Sequence, residues 1–434
     1  VILYREALTI LEEIAKVHSL SDEWIDLDQS LGRILSEPVL SQEGVPSFNN
    51  SAMDGFALRA SDTFGATSTE PVRLLVSGLI AAGDSAQSHT ASSAARSWQA
   101  IEIMTGAPMP EGGGFDAVVR IEDVKVIRSP QGMAQSIEVF KPAKPGDNVR
   151  LKGTDYSVGS LAVNVGTRLD PEHILACASL GVSKLKVKSL PKVIILSTGS
   201  ELIDFREKTL SPGMIRNSTG PFLTTALKKM GFEASYLGVV RDDPQLYQRM
   251  LRQAIDDKGA DIVISTGAVS MGKYDFVSDV LKEMNAKIHF HKAAIRPGKP
   301  ILFAELNDAK KKRSCAFFGV PGNPVSTAVG LRFFIEPYIR SLLSLPREKG
   351  ISVQLSRDAS KPAGLRCFFK GQAKATENGV IEVEALKGQA SYIVSALLDA
   401  NAWVVLPEQG TTTSKGTLVE IYPLHNSFEK GLIL

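Results

Sequence analysis

Cysteine is scarce: Cys177, Cys315 and Cys367 are the only three in 434 residues, and no two share a C-x-x-C spacing. That excludes a disulfide framework and a zinc knuckle, and it points to a reducing, cytoplasmic compartment. Long apolar runs are missing as well, none approaching the ~18 residues of a membrane span. The N-terminus carries helix spacing rather than a signal peptide. Charge of one sign is not in excess. Lys and Arg number 49 against 47 Asp and Glu, and a balance of +2 provides no field to gather nucleic acid. Familiar catalytic signatures are absent too. No G-x-x-x-x-G-K-[ST] loop marks a P-loop NTPase, and no G-x-G-x-x-G opens a helix as in a dinucleotide dehydrogenase. No G-x-S-x-G elbow is present, and the histidines offer no obvious triad. His289 and His291 flank Phe290 in an alternating stretch, which reads as one face of a strand. No second ligand cluster accompanies them to argue for a metal.

What the chain does have is length and a changing rhythm. At the usual ~100–200 residues per domain, the length predicts about three or four domains. Leu3, Ala7, Ile10, Leu11 and Ile14 predict an amphipathic helix over 3–17. From about 45 to 141 the pattern turns to short β-like runs such as "EIMTG" and "DAVVRIEDVKVI", broken by Gly, Pro and Ser. "SAQSHTASSAARS" (85–97) reads as a loop or insertion, and "KPAKPGDNVRLKGTDYSVG" (141–159) as a linker. From Pro191 to about 343 strands and helices alternate. "KVIILSTGSEL", "SYLGVVRDDP", "ADIVISTG" and "CAFFGVPGNP" are each followed by helical spacing, and Gly231 suits a helix C-cap. Continuous apolar strands interleaved with helices predict a mostly parallel sheet covered on both faces. Beyond about 347, "ISVQLS", "LRCFFKG", "VIEVEAL", "AWVVLPE" and "TLVEIYPL" predict a small all-β domain.

In an open parallel α/β sheet, ligands bind beyond the carboxyl ends of the strands. Here those ends are polar: Ser197 to Glu201, Asp242-Asp243, Ser265 to Asp275, and Pro321-Gly322-Asn323-Pro324. Helix N-termini after such loops favour an oxyanion. Carboxylates in the same crevice would repel that anion unless a cation intervenes, and magnesium bridging carboxylate and phosphate is the simple solution. Plainer readings stand beside this one. Asp243 and Asp275 each precede a helical pattern, and Asn323 precedes Pro324, so all three could be ordinary N-caps. Lys292, Arg296 and Lys299 around a Pro-Gly turn are an anion site or a solvated basic turn.

Six stretches carry a more specific identification. They are "PSFNNSAMDGFAL" (46–58), "IMTGAPMPEG" (103–112), "STGSEL" (197–202), "TGAVSMGKYDF" (266–276), "IRPGKP" (295–300) and "GVPGNPVS" (319–326). In this order the chain resembles the MoeA family of molybdopterin molybdotransferases and the gephyrin E domain, essentially end to end. The resemblance implies a multidomain α/β plus β fold. Residues 1–45 with 142–180 would form an elongated N-terminal and linker domain, and 46–141 a β-rich inserted domain. Residues 181–345 would form the α/β molybdopterin-binding-like domain with its mostly parallel sheet, and 346–434 a C-terminal β-barrel domain. It implies an enzyme that takes adenylylated molybdopterin and molybdate and, with Mg2+, yields molybdenum cofactor and AMP. It also implies a homodimer whose active site is shared between subunits, with molybdopterin adenylyltransferase and molybdoenzyme acceptors as protein partners.

Motif by motif, the resemblance gives catalytic positions at Asp54, Thr105, Arg150, Asp155, Glu201, Asp242, Asp275, Lys292 and Arg296. Asp242 and Asp275 would hold the metal. Ser197, Thr198, Gly267, Ser270, Lys299, Pro321, Asn323, Pro324 and Ser391 would line the substrate. Some positions depart from the family pattern. Gly267-Ala268 stands where Gly-Gly is common, and Ser200 where an Asp or Asn is common. Asn217 and Thr219 replace an Asp and an Asn, and Arg296 replaces a lysine, turning a point donor into a planar fork. The gephyrin E domain also dimerises and binds receptor tails, so a scaffold is the alternative from another class. A molybdopterin carrier without turnover is the third.

Overall fold

The computed structural model describes residues 1–18, 20–85, 97–269, 276–308 and 313–424, with the side chains of Asp308 and Arg313 outside that description. Two compact units emerge: Val1–Glu23 with Val187–Leu434, and Trp24–Lys186. Helix α1 (Tyr4–Val17) opens the larger unit. Its buried face is Tyr4, Ala7, Leu8, Leu11 and Ala15. Leu3 is exposed and Ile10 and Ile14 are only half-buried, so the stripe sits slightly rotated from the one that spacing predicts. The Tyr4 ring packs edge-on against Phe334 and Phe368, and Arg347 pairs with Glu12. Helix α1 thus packs within the larger unit.

The smaller unit is built on a six-stranded sheet of β1 (Gly55–Leu58), β2 (Val72–Ile80), β3 (Gln99–Ile103), β4 (Ala117–Arg120), β5 (Val124–Arg128) and β6 (Ala134–Val139), in the order β4-β1-β3-β2-β6-β5. Only β2 and β3 pair in parallel. Phe56, Leu58, Leu74, Val119 and Ile137 form one side of its core. Helix α2 (Pro171–Ser179) starts with proline in its first turn, where the missing N–H is no loss.

The α/β part of the larger unit follows the alternation in the sequence. Its elements are β7 (Lys192–Thr198), α3 (Thr219–Lys229), β8 (Glu233–Val240), α4 (Pro244–Arg252), β9 (Ile262–Thr266), α5 (Val277–Glu283), β10 (Lys287–His291), β11 (Ile295–Arg296), β12 (Leu302–Asp308), β13 (Arg313–Val320), α6 (Pro324–Gly330) and α7 (Glu336–Leu342). The sheet order is β8-β7-β9-β13-β12-β10. The first four strands are mutually parallel, and β12 runs antiparallel to both β13 and β10. Val193 to Leu196 and Ile262 to Ile264 are fully buried, as strands covered on both faces require. Each such side chain contributes about 1.5–3 kcal/mol, and Leu251, Ile255, Val280 and Leu281 supply the matching helical faces. Gly231 closes α3 at φ +89, and the Phe232 N–H reaches back to Leu227.

The C-terminal strands are β14 (Ile351–Leu355), β15 (Arg366–Ala375), β16 (Ile381–Ala385), β17 (Ala402–Leu406) and β18 (Leu418–Pro423). They run β15-β16-β14-β18-β17 and close, because β15 pairs with β16 through its second half and with β17 through its first. Gly371 sits where those pairings meet; a Cβ there would fall 2.4 Å from Val404 Cγ2. Closure leaves this five-stranded barrel without a free edge.

Candidate functional site

Strand β7 has β8 on one side and β9 on the other, so the direction of winding reverses between β7 and β9. That reversal opens a crevice at the carboxyl ends of the strands. The backbone there is tight. A Cβ on Gly267 would lie 2.4 Å from the carbonyl oxygen of Thr198 and 2.7 Å from its Oγ1, so no other residue fits. Gly267 takes φ +91 and Ala268 φ +50, two consecutive left-handed residues. A Cβ on Gly322 would stand 3.6 Å from Gly267 Cα, so the loops after β9 and β13 meet at two glycines.

Beneath them lies a buried polar network. Asn217 Nδ2 donates to Ser197 Oγ at 3.2 Å and to the Tyr236 hydroxyl at 2.5 Å. Its Oδ1 accepts from Thr219 Oγ1 and from the Gly220 N–H, each at 3.2 Å. Thr266 Oγ1 donates to Ser197 Oγ at 3.1 Å and meets Thr219 Oγ1 at 3.1 Å. Thr198 Oγ1 donates to the Thr266 carbonyl at 3.1 Å. Ser197 and Thr198, expected to line the substrate, thus commit their hydroxyls to holding β7, β9 and the start of α3 together. Burial pushes the Tyr236 phenol up against the opposing effect of hydrogen bonds from Ser197 and Asn217. A cavity of about 210 Å3 opens beside this network, lined in part by Asn217, Tyr236, Leu202 and Phe205. Tyr236 lies in none of the six stretches, and its only signal in the sequence is polarity within an apolar strand. Thr266 opens the 266–276 stretch but has no role in the motif reading.

At the acidic edge, adjacent carboxylates part company. Asp243 caps α4, accepting from the N–H groups of Gln245 and Leu246 at 2.9 and 3.0 Å. Asp242 instead accepts from the Ser200 N–H at 3.1 Å, while Ser200 Oγ accepts from the Asp242 N–H at 3.3 Å. The serine that replaces the family's acid or amide therefore orients Asp242. Gly199 above it, at φ +144, leaves room for Glu201, whose carboxylate oxygens stand 2.7 and 2.8 Å from where a Cβ would be. Ser270 and Asp275 lie outside the described residues. The N-cap of α5 is Phe276, with no side-chain cap.

The basic residues gather on a hairpin. Lys292 N–H bonds the Ile301 carbonyl at 2.7 Å and Ala293 N–H the Lys299 carbonyl at 3.0 Å, closing 292–301 on itself. Lys292 sits at φ +81, a strained setting for a side-chain residue. Arg296 lies on β11 opposite Cys367 of the barrel. His291 meets the Val269 carbonyl at 2.8 Å, and His289 shares the Glu305 carboxylate with His18. Burial raises the Glu305 pKa, but the hydrogen bonds from both histidines prevail and hold it below its usual value.

The last loop is braced from two sides. Thr327 Oγ1 donates to the Pro321 carbonyl at 2.7 Å, and the Ser391 carbonyl accepts from the Val325 N–H at 3.1 Å. Asn323 occupies the N-cap of α6 but makes no side-chain cap, and Pro324 takes the first turn. The side chains of Glu201, Lys292, Arg296, Lys299 and Asn323 have no hydrogen-bond or ion-pair partner among the described residues.

In the smaller unit the remaining positions collect around one segment. Asp54 Oδ1 accepts from Thr105 N–H at 2.7 Å and Thr105 Oγ1 at 2.9 Å. The backbone bond first and the hydroxyl second hold the Asp54 carboxyl below its usual range. Arg150 is exposed on a short ladder opposite Asn50, just upstream of Asp54. Asp155 is exposed as well, its N–H on the Val45 carbonyl at 2.9 Å.

Set beside known proteins, residues 2–181 match the MoeA N-terminal region (domain I and II). Residues 194–341 match a probable molybdopterin binding domain, and residues 352–424 the MoeA C-terminal region (domain IV). The molybdopterin molybdenumtransferase of Synechococcus elongatus is 34% identical over 415 residues, covering 96% of this chain and 97% of that one. That of Haemophilus influenzae is 33% identical over 407 residues, 93% and 94% of the two chains. Among solved structures, a molybdopterin biosynthesis MoeA protein from Pyrococcus horikosii superposes with a TM-score of 0.78 at 29% identity, over 98% of this chain and 100% of its own.

Proposed function

The chain belongs to the MoeA family and is a molybdopterin molybdenumtransferase of molybdenum cofactor biosynthesis, and we propose that it inserts molybdate into adenylylated molybdopterin with release of AMP in a magnesium-dependent step. One observation supports this most: three cations that have no side-chain partner among the described residues, Lys292, Arg296 and Lys299, share a hairpin on which Lys292 holds a strained backbone. Such cations suit two anions, molybdate and a pyrophosphate, and each charge-assisted hydrogen bond is worth about 1.5–3 kcal/mol. The glycines at 267 and 322 let the loops after β9 and β13 meet at the crevice without a Cβ between them.

Carboxylates are hard oxygen donors and fit magnesium. Asp242, aimed by Ser200, would hold it together with Asp275, and the bound ion would neutralise pyrophosphate charge. Lys292 and Arg296 orient the anionic substrate, and Lys299, Asn323 and Ser391 line it. Glu201 adds a carboxylate at the same edge, while Ser197 and Thr198 support the crevice floor. Asp54, Thr105, Arg150 and Asp155 are proposed to complete the site across a homodimer. Molybdopterin adenylyltransferase as supplier and molybdoenzymes as acceptors fit the same reading. The proposed domain division is 1–45 with 142–180, 46–141, 181–345 and 346–434.

The test is AMP release from adenylylated molybdopterin, with and without molybdate and Mg2+. A molybdate- and magnesium-dependent burst is expected. Binding of molybdopterin with no AMP under any condition would point to a carrier, and loss of both to a scaffold.

A further inference from the structure

The barrel buries a charge that nothing in the reaction uses. Lys370 of β15 is completely inaccessible, and among the described residues no carboxylate pairs with it. A lone ammonium in such a place is costly unless its protons are satisfied. Here it has a cage of carbonyls: Gly388 at 2.6 Å, Ile393 at 3.0 Å and Ala390 at 3.4 Å. An ammonium has three donors, and all three point into one short segment. That segment also returns to the backbone of the same residue. The Lys370 N–H donates to Gln389 Oε1 at 2.9 Å, and Gln389 Nε2 donates to the carbonyls of Lys370 and Leu386 at 2.8 and 2.7 Å. The Leu386 N–H adds a further bond to the Lys370 carbonyl at 2.9 Å. The Gln389 side chain thus serves residue 370 as a neighbouring strand would, and Gly388 at φ +81 turns the chain so that it can.

What this segment carries is Ser391. Its carbonyl takes the N–H of Val325, one of the donors that α6 leaves unpaired at its start, beside Asn323 and Pro324. Three residues earlier on β15, Cys367 stands opposite Arg296, and the Arg366 N–H bonds the Ala294 carbonyl at 3.0 Å. At ~3.3 Å per strand residue, β15 places Cys367, opposite Arg296, about 10 Å from Lys370 along the strand.

We infer that Lys370 and Gln389 are positioning residues that clamp the 386–393 segment onto β15 and so hold Ser391 against the first turn of α6. The inference deepens the function proposed above and rests on it for the role of Ser391. Burial also pushes the Lys370 pKa down, with no carboxylate among the described residues to oppose it.

The experiment uses the full chain with Lys370→Met, which keeps the side chain's length and removes its donors. Hydrogen exchange is followed over 386–393 and 322–328, with 402–406 as the internal reference. Exchange is expected to quicken about tenfold in the first two peptides and to stay unchanged in the third. KM for adenylylated molybdopterin should rise about tenfold with kcat within about twofold, the signature of lost positioning rather than of lost fold. Unchanged protection at 322–328 overturns the clamp, and faster exchange with an unchanged KM overturns the positioning role. If Lys370→Met does not fold, Gln389→Ala carries the same expectation at about threefold, and wild-type exchange in that variant overturns it. Ser391→Ala separates the two readings. Wild-type turnover there, alongside loosened peptides in Lys370→Met, leaves the clamp standing and removes Ser391 from the substrate site.

Discussion

Ala268 holds φ +50 without the freedom of glycine, next to Gly267, where a Cβ would strike the Thr198 carbonyl. A left-handed conformation costs a side-chain residue about 1–2 kcal/mol, offset in part by the greater entropy a glycine has when unfolded. Ala268→Gly should therefore stabilise the larger unit by about 0.5–1 kcal/mol, read as a higher midpoint of chemical unfolding. Gly267→Ala should lower that midpoint by considerably more. A midpoint that falls in Ala268→Gly would refute the strain. Asp54 offers a second test at this scale. Its carboxyl is lowered by the Thr105 N–H and then by the Thr105 hydroxyl, so whatever stability it lends is present above the ordinary carboxylate range and fades as pH falls through the lowered value. Thr105→Val deletes the hydroxyl and keeps the N–H. The Asp54 titration, followed by carboxyl NMR, should move up part of the way towards its ordinary value; a curve that does not move would assign the whole shift to the backbone.

Where three elements meet, at the ends of β7 and β9 and the start of α3, Asn217 makes four hydrogen bonds from a buried side chain. Asn217→Leu should cost about 3 kcal/mol, since several buried donors and acceptors lose a partner at 1–3 kcal/mol each. Stability within 1 kcal/mol of wild type would mean that water or a hydroxyl rotation replaces the asparagine. The same junction shows what the sequence can and cannot disclose. Continuous apolar runs with polar ends made the parallel strands and their loops legible, because burial on both faces leaves no alternation and a winding reversal places the loops together. Which way each polar side chain turns is decided by partners far off in the chain. Ser197 and Thr198 look outward as letters in "STGSEL", yet Asn217 and Thr266 draw their hydroxyls inward. Asp243 abuts Pro244 and caps α4 as its place in the sequence allows, whereas the bond that orients Asp242 comes from Ser200, 42 residues away. The Asn217 and Thr219 departures from the family pattern become intelligible only as members of a closed network that neutral side chains satisfy.

At the scale of the whole molecule, the proposed site residues fall in two compact units: Asp54, Thr105, Arg150 and Asp155 in one, Glu201, Asp242, Lys292 and Arg296 in the other. The proposed homodimer makes a sharp prediction of this division. In a closed two-fold assembly both clefts are equivalent, so each would take one group of residues from each chain. Asp54→Asn and Asp242→Asn should each be inactive as pure proteins, at unchanged sedimentation. Dissociated together and reassembled at equal amounts, they pair at random and about half of the dimers are mixed. A mixed dimer has one cleft with both changes and one with neither, so activity should return to roughly a quarter of wild type. If each site were built within a single chain, every cleft would keep one lesion and the mixture would stay dead. Subunit exchange is confirmed independently with differently tagged chains. Exchange without recovered AMP release would sink the shared site and leave the molybdenumtransferase assignment untouched, whereas recovery near one quarter is hard to obtain any other way, because neither inactive variant can repair itself.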